Sequence, residues 1–174
     1  MTETQQKIAA GLEAGFAAHG FATPNVETLR DAAGVSLRTL YKYAPSRADM
    51  VLMALEHRHQ RYLTHLFDAL PSDPATVLDA MLDRVGDWME AETTHGCLFH
   101  SAVAADPGNS ALRALLDRHK AEVSLKAVAV TGAEGRGIDL LLLMEGVMQT
   151  WPLHGRASVT AAKRLGRGLR AENP

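Results

Sequence analysis

The sequence predicts an all-α protein of about nine helices, a small three-helix N-terminal head followed by a larger helical body. Three observations lead there. Apolar residues recur three and four apart along almost the whole chain, which is the spacing of one helix face. No segment alternates apolar and polar residues as a half-buried strand does, and Ala, Leu and Met dominate over β-branched types. Glycine, proline and cap-forming residues interrupt the pattern at short intervals, as the ends of packed helices require.

The elements follow in order. Ile8, Leu12 and Phe16 form one apolar line that Gly20 ends. The next helix runs from the cap residue Asn25 through Ala33 to Gly34, which tolerates positive φ. Val35 turns toward the core, and Ser36 caps a second short helix, so the pair has the form of a helix-turn-helix. Pro45 and Ser46 stop that helix and cap a long one reaching about Leu70, with Met50, Leu55, Tyr62 and Leu66 on its apolar side. Pro71 to Pro74 break the pattern. Ala75 to about Ala91 carries Val77, Leu78, Met81, Val85 and Trp88, with Asp79, Asp83, Asp87 and Glu90 read as its wet face. Thr93, Thr94, His95 and Gly96 form a loop before a short helix at Leu98–Ala105. Asn109 caps a helix to about Val130, and Thr131 to Gly137 is a glycine-rich break. Ile138–Trp151 is strongly apolar, Pro152 to Gly155 turns, and Ser158 caps a last helix to Arg170.

Composition bounds the function. The 174 residues are 47% apolar, enough for a sizeable core, and the net charge is only −2. Bulk charge therefore announces no polyanionic partner, but residues 36–47 carry Arg38, Lys42 and Arg47 with no Asp or Glu. A local patch suffices for docking on phosphates, because the contacting residues set that energy. No apolar run is long enough to span a bilayer, and no signal peptide precedes the first helix. A single cysteine suits a reducing compartment, so a cytoplasmic protein is expected.

The stretch from Gly34 to Met50 carries the most chemistry. At about 100° per residue, Leu37, Arg38, Tyr41 and Lys42 fall on one side of their helix. Leu40 and Tyr43 fall on the other, with Thr39 between. Taken alone, a capped helix of this kind is an ordinary surface helix. The ordered set from Asn25 to Asp49 says more. Ala32-Ala33-Gly34-Val35-Ser36, Thr39-Leu40-Tyr41, Tyr43 and Pro45-Ser46-Arg47 resemble the DNA-binding head of the tetracycline-repressor (TetR) family of bacterial regulators. The resemblance covers residues 4–50, with two departures: Ala44 replaces a large aromatic residue, which leaves either a looser local core or a gap filled from elsewhere, for example by Phe16, and Arg47 replaces a lysine.

The resemblance implies a head at residues 1–45 and a ligand-binding and dimerisation body at 46–174. It implies a DNA-contacting set of Ser36, Leu37, Arg38, Thr39, Tyr41, Lys42, Tyr43 and Arg47. Leu37, Arg38, Tyr41 and Lys42 would face the major groove, Arg38 being suited to a bidentate contact with guanine. Thr39, Tyr43 and Arg47 would hold phosphates and fix register. It further implies a homodimer on a pseudo-palindromic double-stranded operator, formed through the last two helices, and a repressor released by a small-molecule effector. Ala161, Ala162, Gly166 and Gly168 would allow close approach of the final helix, and Lys163, Arg164, Arg167 and Arg170 would favour its dipole.

The effector site is less sharply drawn. Met81, Trp88, Cys97, Phe99, His100, His119, Met144, Met148 and Trp151 are set out as lining for a small hydrophobic or aromatic compound, with Met89 and Gln149 near them in sequence. A Met and aromatic stripe at helical spacing is equally what a plain core looks like. Three readings stay open for Cys97: an electrophile or redox sensor, a metal ligand with His95 and His100, and a small buried hydrophobe. A helical small-molecule-binding protein without DNA binding is the alternative of another class. No phosphate loop, Ser-His-Asp order or His-Glu-x-x-His motif is present, so neither an enzyme nor a cofactor or resident metal is expected.

Overall fold

The computed structural model describes residues 2–92 and 96–171. Among the described residues there are nine α-helices and no strand: α1 (Glu3–His19), α2 (Val26–Ala33), α3 (Leu37–Tyr43), α4 (Arg47–Phe67), α5 (Pro74–Glu92), α6 (Leu98–Ala105), α7 (Ser110–Thr131), α8 (Gly137–His154) and α9 (Arg156–Ala171). Two compact units divide the chain, Met1–Arg61 with Leu98–Leu116, and Tyr62–Cys97 with Asp117–Pro174. The first contains every residue expected to form the head. No described helix is long and apolar enough to cross a membrane.

In the first unit, α1 packs on α2 and α2 on α3. Ile8, Leu12, Phe16, Leu29, Leu40 and Met50 are fully buried. The close approach of α1 to α2 depends on Gly11, where a Cβ would lie 2.4 Å from both the Ala32 carbonyl oxygen and the Ala33 Cα. Ala44 is itself fully buried, and the aromatic density nearby comes from Phe16 and Phe21, stacked with centroids 5.0 Å apart. Glu13, on the buried side of α1, reaches α4. One carboxylate accepts from Arg58 Nη1 (2.9 Å) and Arg61 Nη1 (2.8 Å) and pairs with His57 Nδ1 (2.6 Å).

In the second unit, α5, α8 and α9 pack together around Met81, Leu82, Val85, Met89, Leu140, Met144 and Val147. The acidic side of α5 is open to water, as the sequence suggests, and it also carries ion pairs to α9. Asp83 pairs with Lys163 at 2.6 Å, while Asp87 (2.6 Å) and Glu90 both bind the Arg156 guanidinium. These three carboxylates sit three and four residues apart, so they share one stripe facing α9. Hydrogen bonds to Glu90 and then Asp87 raise the Arg156 pKa above its ordinary value.

Several helix ends differ from the sequence expectation. α4 stops at Phe67, not Leu70, and Ala69 takes φ 50°. The Arg84 side chain of α5 explains the stop, donating to the carbonyls of His65, Leu66, Asp68 and Ala69. His65 Nε2 lies 2.8 Å from the Arg84 carbonyl oxygen, which obliges that nitrogen to carry the proton. α8 runs through Pro152 to His154 instead of turning there. A proline in the final turn removes a single interior hydrogen bond, and Gly155 (φ 49°) then ends the helix by donating to the Trp151 carbonyl at 2.8 Å. α9 therefore begins at Arg156, before Ser158. Ser158 is not the cap: it is buried and its hydroxyl accepts from Thr150 Oγ1 of α8 at 2.8 Å. Of the small residues on α9, Gly166 faces inward, where a Cβ would meet Leu78 at 3.0 Å.

Candidate nucleic-acid interface

The local folding of the head is a succession of caps. Thr2 and Gln5 form a reciprocal capping box at the start of α1. Asn25 Oδ1 accepts from the Thr28 amide at 2.9 Å and opens α2. Gly34, at φ 61° and ψ 40°, closes it in the left-handed conformation that glycine adopts without steric cost. Lys7 Nζ of α1 donates to the Gly34 carbonyl at 3.0 Å and ties the turn to the helix beneath. Ser36 Oγ accepts from the Thr39 amide at 3.1 Å and opens α3. Ser46 and Asp49 exchange side-chain to amide hydrogen bonds at 3.0 and 3.1 Å and start α4.

These caps leave α3 with two unlike sides. Leu40 is fully buried, which anchors the helix on the head. Arg38, Tyr41 and Lys42 are exposed, Tyr41 at 45% although its ring is largely apolar. Leu37, Thr39 and Tyr43 are half-buried at the edges, and Lys42 lies over the Tyr43 ring at 5.2 Å. The helix thus presents two cations and a phenol outward, with no carboxylate within its own length to neutralise them.

The chain matches SCO4454, a TetR-family transcriptional regulator from Streptomyces coelicolor, with a TM-score of 0.80 at 20% identity, over 99% of this chain and 91% of that one. The fold is that of the TetR-family regulators. GusR of Salmonella enterica matches at 0.71 with 20% identity, over 97% of each chain. The reduced form of E. coli NemR matches at 0.68 with 19% identity, over 94% of this chain and 96% of that one. No protein-family model matches the sequence, and no curated protein does.

Arg47, at the start of α4, is half-buried. Its Nη1 donates to the Pro24 carbonyl at 2.6 Å and its Nη2 to the Phe21 carbonyl at 2.7 Å, with the guanidinium 5.8 Å from the Phe16 ring centroid.

The residues set out as effector lining fall in both units, Phe99 and His100 in the first and the other seven in the second. In the second unit, Met81, Trp88, Cys97, His119, Met144, Met148 and Trp151 are all buried. Trp88 and His119 converge on Tyr62, with ring centroids at 5.2 and 5.6 Å, and His65 stands 5.4 Å from Trp88. Phe99 is buried and His100 exposed. Lys120 Nζ lies 3.5 Å from the Cys97 sulfur and 2.5 Å from a Glu145 oxygen. His95, the third residue of the metal reading, lies outside the described residues, as do the rest of its loop at 93 and 94 and the side chain of Arg170.

A different hollow is present on α8 and α9. It measures about 290 Å³ and is walled by Leu142, Gly146, Thr150, Ala157, Ala161 and Leu165 among others, none of them in the expected effector set. Leu142 is 66% exposed and Leu165 65%. The sequence hid this face because α8 is apolar on every side from Ile138 to Val147, apart from Asp139 and Glu145. The signals in the sequence were the small residues Ala161 and Ala162 of the final helix, and Leu142, Gly146 and Thr150 recurring every fourth residue.

Proposed function

We propose that the protein is a homodimeric, effector-responsive transcription regulator that binds double-stranded DNA through α3 and acts as a repressor. The observation that carries the reading is the exposed Arg38, Tyr41 and Lys42 face of a helix whose other side is anchored by the fully buried Leu40. The TetR-like fold over 99% of the chain supports it. In this reading Arg38 donates to a guanine edge, Leu37 and Tyr41 contact the groove floor, and Ser36, Thr39, Lys42 and Tyr43 take phosphates or flank the bases.

One α3 of seven residues reads too few base pairs for a specific site, so two heads are needed. The exposed leucines around the α8–α9 hollow supply the surface for a second copy, since apolar area left open to water favours burial. The effector is a small hydrophobic or aromatic compound that enters among Met81, Trp88, His119, Met144 and their neighbours. It acts only by binding the DNA-competent and released geometries with different affinity.

The test is binding of wild type and Arg38→Ala to the DNA upstream of the protein's own gene, measured across a salt series. Arg38→Ala is expected to lose about 1–3 kcal/mol of specific affinity while its binding to unrelated duplex changes little. Equal affinity of wild type for both duplexes would remove the reading.

A further inference from the structure

Arg47 joins two places that the helix-turn-helix itself separates. Pro24 immediately precedes the cap of α2, and Arg47 opens α4 just after α3 ends. The two hydrogen bonds from its guanidinium to the carbonyls of Phe21 and Pro24, at 2.7 and 2.6 Å, therefore close residues 24–47 into a loop containing both α2 and α3. The Phe16–Phe21 stack backs the contact, and Arg47 sits over the first of those rings.

The chemistry favours arginine here. Two carbonyl oxygens three residues apart are met by two nitrogens of one rigid planar fork. A lysine ammonium carries the same charge from a single nitrogen and has no such geometry. The carbonyls in turn belong to a segment of turns and bends with no helix to satisfy them, ending in a proline that donates no N–H.

We propose that Arg47 is a positioning residue, the clasp that sets the tilt of α3 by fixing both ends of the helix-turn-helix, rather than a ligand for DNA phosphate. The inference rests on the DNA-binding reading above for its consequence, though the clasp itself is a property of the head.

The two roles separate experimentally. Full-length wild type, Arg47→Lys and Arg47→Ala are titrated with the upstream duplex and with an unrelated duplex of equal length, each over a salt series. A clasp predicts that both variants lose roughly tenfold in the ratio of specific to non-specific affinity. The slope of log affinity against log salt stays at the wild-type value, because no phosphate contact is removed. A phosphate ligand predicts the reverse: Arg47→Lys behaves as wild type, and Arg47→Ala weakens both duplexes with the slope reduced by about 0.9. That result overturns the clasp.

Amide hydrogen exchange at residues 20–23 and at Asn25 is measured on the same proteins without DNA. Exchange about tenfold faster in both variants, and unchanged in Arg38→Ala, supports the clasp. Unchanged exchange in Arg47→Ala overturns it. If wild type prefers neither duplex, the DNA-binding reading falls, and the exchange rates alone decide the clasp.

Discussion

At Gly11 two opposing effects of one methyl group can be compared directly. Alanine in a helix interior is favoured over glycine by about 1 kcal/mol. The added Cβ would sit 2.4 Å from backbone atoms of Ala32 and Ala33, which cannot rotate away as a side chain can. Overpacking of this kind costs about 1–3 kcal/mol, or more where backbone must move, so the clash wins. Gly11→Ala is expected to lower the thermal midpoint of the head. A raised midpoint would mean that α1 and α2 separate freely. Gly168, whose Cβ position meets nothing within 4 Å, is the control: its replacement by alanine should be neutral or stabilising. Sequence alone does not distinguish these two glycines, because both interrupt helical patterns. Only the partner helix does.

At the scale of elements, α1 and α4 are joined by Glu13, whose relative exposure is 3%. Its carboxylate meets residues 57, 58 and 61 of α4, which share one side of that helix. Removing one partner from a buried ionic cluster leaves the rest with an unmatched desolvation cost, typically about 3–5 kcal/mol. Glu13→Gln is therefore expected to lower the urea midpoint substantially, and a double-mutant cycle with Arg58→Met should return part of the loss. Additive losses would show that the two residues do not act as a pair. Glu13 is the one charged residue in the small and apolar run 8–18 of α1, but nothing in the order of residues names its partners, which are more than forty positions away. The caps were different. Asn25, Ser36 and Asn109 could be read directly, because a cap hydrogen bond spans only three residues and depends on side-chain type alone.

For the whole molecule, the apolar face of α8 and α9 leads to an expectation about assembly. Leu142 and Leu165 are far more exposed than core leucines such as Leu82 and Leu140, yet they flank a hollow of about 290 Å³. Burying two such side chains in each of two copies is worth about 1.5–3 kcal/mol per leucine. Leu142→Asp with Leu165→Glu is expected to convert a dimer to a monomer in sedimentation equilibrium, with unchanged helical circular dichroism. The same variant should lose specific DNA affinity, since half-sites are held together only by a two-fold assembly. A wild type that sediments as a monomer at micromolar concentration would overturn the assignment of this face.

The sequence by itself determined the elements: the nine helices of the described residues, the caps at Asn25, Ser36, Ser46 and Asn109, the glycine turn before α3, and which side of α3 is buried by Leu40. All of these depend on interactions within a few residues, which periodicity and side-chain chemistry encode directly. Tertiary structure decided everything that needs a distant partner. It ended α4 with Arg84, carried α8 through Pro152, turned the acidic stripe of α5 toward α9, and drew Arg47 onto the carbonyls of Phe21 and Pro24. It also left the leucines of α8 and α9 outside while burying most of the residues expected to line an effector site. A uniformly apolar helix has no preferred side until its neighbours pack against it, and a cation has no assigned role until it finds its acceptors.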